Sequence, residues 1–204
     1  MNHEQVKRLR RKMHNTKGAR FESSKRLLKK YRLSVWSISI LSLYVICVSV
    51  GLLIFSGAYS DWFGNVMTFL SVSMSVFIII LSLLNESNSY QLNADIMHNC
   101  AREILVLYNK IPNDNNLNED LFDEYRDGYQ KIINSFHVNH DELDRKIKKS
   151  KDPFDDEEAI SFPRFSYFVD VYLFPILYMS IPIIAFAVSI IVELYVTIFC
   201  NSIN

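Results

Sequence analysis

The sequence predicts an all-α membrane protein, and three observations carry that prediction. Half of the 204 residues are apolar, and they are gathered into the stretches 35–56, 66–84 and 171–200, which are almost free of charge. A helix rising ~1.5 Å per residue needs roughly 20 residues to cross a ~30 Å hydrocarbon core, so these stretches read as spans. Between them the chain is polar and its apolar residues recur at helical spacing rather than in alternation. Finally, the formal net charge of zero hides a division of sign: residues 1–34 hold twelve Lys/Arg against two acids, and residues 85–170 hold ten against eighteen. The two regions are therefore expected to attract one another.

The first element is a basic amphipathic helix over 1–34, without proline and with Gly18 alone among glycines. Its basic face is expected to lie on anionic headgroups, each Lys or Arg near the surface contributing about 1 kcal/mol. The basic and apolar parts are both too long for a cleaved signal peptide. A two-span hairpin over 35–84 follows, with spans 35–56 and 66–84. Seven Lys/Arg crowd its entry between Lys17 and Arg32, whereas the connector 57–65 has none, with Tyr59 and Trp62 placed as interfacial aromatics. By the positive-inside bias the N-terminus is cytoplasmic and the connector outside.

No glycine or proline interrupts 65–111, so the second span is expected to extend into the cytoplasm as one rod of 47 residues, ending before Pro112. Within the cytoplasmic region 85–151, Tyr90, Ala94, Met97, Ala101, Ile104, Tyr108 and Ile111 keep a heptad spacing. They form a candidate oligomer seam, whose partner is either another chain or the next helix of this one. That helix is announced by Asn116 with Glu119 three residues on, and carries Leu121, Tyr125, Tyr129, Ile132 and Phe136 on one face. A second capping signal, Asn139 to Glu142, opens a short basic helix through Lys151. An acidic linker, 152–170, holds Asp155, Asp156, Glu157 and Glu158. The last stretch, 171–200, contains Pro175 and Pro182 and is long enough for one kinked span but not two. A single crossing is preferred to a re-entrant segment.

Chemistry has little to stand on. His137 and His140 have a ligand-like spacing but no further ligand nearby in sequence, and Cys47, Cys100 and Cys200 are scattered. There is no glycine-rich phosphate loop and no nucleophile elbow. Neither catalytic, cofactor nor metal residues are expected, nor direct nucleic-acid binding by the basic arm. The informative polar residues are inside the spans: Thr68, Ser71, Ser75 and Ser82 fall with Gly64 on one face of the second, and Ser39, Ser42, Ser49 and Ser56 form a looser stripe on the first. Small hydroxyl residues either pack helices closely or line a wet path. Glu193 requires a partner or water at membrane depth.

The arm with Lys17-Gly18-Ala19-Arg20-Phe21 and Lys25-Arg26-Leu27, the two spans, and the segment Asn93-Ala94-Asp95-Ile96-Met97-His98-Asn99-Cys100-Ala101 resemble the SLATT family over roughly residues 5–145. This is a family of two-transmembrane effector domains associated with nucleotide second-messenger synthases and SLOG sensors. The C-terminal apolar stretch resembles the longer subgroup found beside reverse transcriptases. The resemblance implies an oligomeric effector of bacterial antiphage defence that perforates the inner membrane. A nearby nucleotidyltransferase, SLOG protein or reverse transcriptase would be its partner. The family has no catalytic residues to carry over, and its two-span plan is exceeded here by 171–200.

Overall fold

The computed structural model describes residues 3–55, 57, 59–112, 118–152 and 160–203. It is 89% helical, with no strand among the described residues. Among the described residues six helices follow one another: α1 (His3–Ile54), α2 (Asp61–Ser87), α3 (Tyr90–Lys110), α4 (Glu119–Ser135), α5 (Glu142–Lys151) and α6 (Arg164–Ile203). Three are long and apolar enough to cross a membrane: α1, α2 and α6. The chain divides into two units, each with its own core. A polar unit comprises Met1–Lys30 and Ser89–Val169, and an apolar unit comprises Tyr31–Asn88 and Asp170–Asn204.

Local chemistry explains most boundaries. The basic arm and the first span form one helix, as a stretch without proline permits. Ser60 caps α2 by accepting the Phe63 N–H at 3.2 Å. The single long rod is not formed. The chain leaves the helix at Asn88 and restarts at Tyr90, with Ser89 in the left-handed region at φ 47°. The run Asn85-Glu86-Ser87-Asn88-Ser89 is rich in short polar side chains that compete for the backbone, and the Asn88 amide donates to the Leu84 carbonyl at 2.9 Å. Absence of glycine and proline was therefore insufficient to keep the helix going.

Beyond it, Ile111 is extended before Pro112, which ends α3 where expected. Asn118 flanks α4, and the expected cap Asn116 lies outside the described residues. For α5 the cap is Asp141, two residues after the expected Asn139. Asp144 completes a capping box, accepting the Asp141 N–H at 3.1 Å. α6 begins at Arg164, directly after Pro163, and so takes the end of the stretch expected to be linker. It runs as one helix through Pro175 and Pro182, while the acidic residues 155–158 lie outside the described residues.

In the polar unit, the start of α1 packs with α3 and α4. Leu9 and Met13 meet Cys100, Ile104, Ile111 and Tyr129, with Leu107, Phe122, Ile132 and Phe136 around them. The apolar unit is a three-helix arrangement in which Tyr44, Val45 and Val48 of α1, Met67, Leu70 and Met74 of α2, and Pro182, Ala185 and Phe186 of α6 line a common small cavity. Leu41, Met67 and Val171 are its most enclosed large side chains.

Candidate functional site

Two places concentrate polar groups in otherwise unusual surroundings, one in each unit. In the apolar unit, α1, α2 and α6 bring hydroxyls and one carboxylate among aliphatic side chains. Ser49 Oγ and Ser71 Oγ are 2.8 Å apart, linking α1 to α2. The contact joins one member of each predicted stripe, side chain to side chain. Ser39 and Ser42 donate to the carbonyls of Val35 and Ile38 in their own helix, each at 2.9 Å. Thr68 and Ser75 do the same toward Gly64 and Ser71, at 2.8 and 3.0 Å. Thr68, Ser75 and Ser82 are exposed in the single chain, whereas Ser49 and Ser71 are half-buried. Ser56 lies outside the described residues. On α2, Ser71 therefore faces a neighbouring helix, whereas Thr68, Ser75 and Ser82 are exposed in the single chain.

Gly64 is explained locally. A Cβ there would stand 2.8 Å from the Tyr59 ring, and that ring is held by its hydroxyl, which donates to the Leu52 carbonyl at 2.6 Å. Gly64 thus lets the turn close over the start of α2.

Glu193 has the partner that its depth in the sequence demanded. Its Oε1 accepts the Ser60 N–H at 3.0 Å and its Oε2 accepts the Ser60 hydroxyl at 2.8 Å. The carboxylate therefore sits on the N-terminus of α2, where unsatisfied N–H groups and the helix dipole favour an anion. Together with the Tyr44 hydroxyl on the Pro182 carbonyl at 3.4 Å and the Phe77–Tyr178 ring pair at 6.3 Å, it ties α6 along the hairpin from one end to the other. Sequence reasoning found Glu193 but not Ser60, because the partner is 133 residues away.

In the polar unit, the heptad seam is satisfied inside one chain. Ala94, Met97, Ala101, Ile104 and Ile111 are each at most 5% exposed, and Tyr90 and Tyr108 are half-buried. Of the two partners the spacing allowed, the same chain supplies one, in α1 and α4.

The basic arm is also not a headgroup-facing surface along its length. Arg26 is 3% exposed and clamps Asp144, itself 0% exposed, through Nε and Nη2 at 2.7 and 2.9 Å, and reaches Asp141 as well. Lys17 lies 4.1 Å from the centre of the Tyr108 ring. Lys151 bridges back to Glu22, and His14 meets Asp152 at 2.9 Å. Burial alone would raise the Glu22 pKa, but bonds from Lys151 and Lys25 hold it below the ordinary value. Burial lowers the pKa of His14 and of His140, with help from nearby Lys148 and Arg20 respectively. Attraction between basic arm and acidic region was legible in the sequence; these pairings were not, since nothing local marks Arg26 or Asp144.

Of the cysteines, Cys100 is buried and Cys47 is exposed in the single chain, while the Cys200 side chain lies outside the described residues. Burial raises the Cys100 thiol pKa, which disfavours a reactive thiolate. Among the described residues no three His, Cys, Asp or Glu side chains are grouped to hold a metal ion.

No curated protein and no solved structure matches the chain. A family model does, from residue 2 to residue 188, and its match reaches well into α6, so the third long apolar helix falls largely within a domain described by two spans. With so much of its length covered, the chain belongs to the SMODS and SLOG-associating 2TM effector domain family 5.

Proposed function

We propose that this protein is a membrane effector of bacterial antiphage defence. It resides in the inner membrane with its N-terminus in the cytoplasm, and it oligomerises through its apolar unit to depolarise or perforate that membrane and abort infection. All three apolar helices cross the bilayer in this reading, with the Ser60–Glu193 contact at the outer end. The observation that carries it is the outward set Thr68, Ser75 and Ser82 on α2. Lipid offers no hydrophobic drive to orient small residues, so a set that does not face its own bundle fits a second copy or water better than acyl chains. The Thr68 and Ser75 hydroxyls are bonded within the helix, and this makes the surface cheap to carry until assembly.

The test is a three-variant series at Ser75, read by toxicity on induction, membrane-potential dye and native oligomer size. Ser75→Leu should dry the path, abolishing the dye signal while insertion and oligomer size persist, whereas Ser75→Asn should conduct. Ser75→Ala should be nearly silent. A correctly assembled Ser75→Leu protein that still depolarises the membrane would remove this face from the conduction path.

A second reading, a non-conducting anchor that recruits a defence enzyme such as a reverse transcriptase, is favoured by one feature. A groove of about 630 Å³ on the polar unit exposes Val106 beside Leu107, Ile132 and Phe136. In that case no Ser75 variant alters membrane potential.

A further inference from the structure

In the apolar unit, α1, α2 and α6 leave a groove of about 450 Å³ between them, a volume typical of small-molecule sites. Gly51 and Leu52 come from α1, Phe63 and Met67 from α2, and Phe186 and Ile190 from α6, and no charged side chain lines it. Tyr44 and Tyr59 also line it, but both turn their hydroxyls onto backbone carbonyls, those of Pro182 and Leu52, and leave their rings as wall. Gly51 keeps the groove open. A Cβ there would meet no other described group within 4 Å, whereas one at Gly64 would stand 2.8 Å from the Tyr59 ring. Cys47, Phe55 and Ile190 are exposed at its rim. The bilayer core has no water to fill such a groove, and an empty one forfeits dispersion contact along its wall.

Charge at one end of the groove selects the occupant. Ser60 follows Tyr59 and holds Glu193, which lies one turn beyond Ile190 on the same face of α6, and Asp61 starts α2. Glu193 keeps its charge while accepting from Ser60, and a carboxylate offers about four acceptor sites. Arg32 is the only Lys, Arg or His of the apolar unit, and it stands roughly 30 Å before Leu52 along α1. A second copy at the same depth would bring the same carboxylates and no cation, and an anionic headgroup would add repulsion. A lipid with a terminal ammonium matches both the apolar wall and the acidic end.

We propose that this groove binds one acyl chain of a phospholipid whose headgroup ends in an ammonium, as in phosphatidylethanolamine, with that ammonium at Glu193 and Asp61. Such a site rests on the membrane placement given above and not on conduction, since what is read is the position and identity of bound lipid.

Full-length protein would be reconstituted in nanodiscs of equal parts phosphatidylethanolamine and phosphatidylglycerol, with a photoreactive diazirine on an acyl chain of one or the other. Crosslinks would be mapped by residue, and native oligomer size and melting temperature recorded alongside. Phosphatidylethanolamine should label Cys47, Tyr59 and Phe63 at least threefold more than phosphatidylglycerol does. Gly51→Phe and, independently from the opposite wall, Ile190→Trp should each fill the groove and cut that labelling at least fivefold. Leu53→Phe adds bulk at a position 80% exposed and outside the groove, and should change it less than twofold. Glu193→Gln with Asp61→Asn should retain the labelling and bring the two lipids to parity. Should Gly51→Phe fail to fold, Ile190→Trp and the lipid preference of the unaltered protein still decide. Labelling no stronger in the groove than at Leu53, or unchanged by a folded filling variant, would overturn the site, as would phosphatidylglycerol labelling that equals or exceeds that of phosphatidylethanolamine. A groove closed to both lipids, with an oligomer that shrinks in a filling variant, would give it to a second copy instead.

Discussion

The two units are stabilised by opposite means. In the polar unit charged groups are paired, Arg26 with Asp144 in the interior and Lys151 with Glu22 at the surface, around a core of Leu9, Met13, Met97 and Ile104. In the apolar unit many large side chains point outward, among them Leu53, Phe69, Ile79, Phe174 and Ile191, each at least 59% exposed. Water punishes an unpaired buried charge but rewards buried hydrocarbon; lipid rewards neither arrangement of hydrocarbon over the other. A single substitution should therefore weigh far more in the polar unit than a comparable one in the apolar unit.

The largest expected effect breaks that unit at Arg26. Arg26→Met leaves Asp144 at 0% exposure without its bidentate partner, and removing one member of a buried pair costs about 3–5 kcal/mol. Melting of the polar unit, followed by hydrogen exchange of α3 and α5 in the full-length protein, should show a loss of that order, with the spans unaffected. Adding Asp144→Asn to Arg26→Met removes the stranded charge and keeps a group able to accept the Asp141 N–H, so it should recover part of the loss. A cost below about 1 kcal/mol for the single change would mean that the pair is not enclosed in water as it is here.

A smaller effect is set by pH. All five histidines, at 3, 14, 98, 137 and 140, belong to the polar unit. His14 faces Lys148, Lys17 and Asp152, and His140 faces Arg20, Arg145, Asp144 and Asp141; burial leads the causes that lower both pKa values from 6.5. Between the lowered folded values and the unfolded one, the unfolded chain binds more protons, so their contribution is full above about pH 6.5 and is lost as pH falls through the folded pKa. In phosphate-free buffer, lowering pH from 7.5 to 5.5 should reduce exchange protection of the polar unit and leave the apolar unit unchanged. His14→Asn with His140→Asn should flatten that dependence. Equal losses in both units would place the titrating groups elsewhere.

How much of this was legible in the sequence follows from the range of the signals. The spans, α3, α5 and the apolar face of α4 are written in local periodicity and in single breakers such as Pro112. The seam from Ala94 to Ile104 was visible as a buried face, but periodicity carries no label for the partner, which is α1 and α4 of the same chain. The break at Ser89 was missed because it arises from competing short polar side chains rather than from glycine or proline. Ser60 with Glu193, Arg26 with Asp144 and Lys151 with Glu22 join positions more than a hundred residues apart. Composition announced that opposite charges were available there, not which would meet.

The smallest expected effect lies at the Ser49–Ser71 contact and tests the apolar half of the comparison. Both hydroxyls bridge α1 and α2 at 2.8 Å, but Ser49 also reaches the Val45 carbonyl of its own helix at 2.9 Å. Truncating Ser71 therefore leaves Ser49 with a local acceptor instead of an orphaned donor, the kind of substitution by which hydrogen bonds between membrane helices come to measure about 0.6 kcal/mol on average and rarely exceed about 1.7. A double-mutant cycle of Ser49→Ala and Ser71→Ala, read as reversible unfolding in bicelles, should give a coupling near that average. Ser71→Leu should cost more than Ser71→Ala, because Ser71 is half-buried on the wall shared with Tyr44 and Phe186 and added volume must displace those rings. A coupling above about 2 kcal/mol would mean that neither hydroxyl finds its own helix once the partner is gone, and that the apolar unit, like the polar one, depends on individual polar pairs.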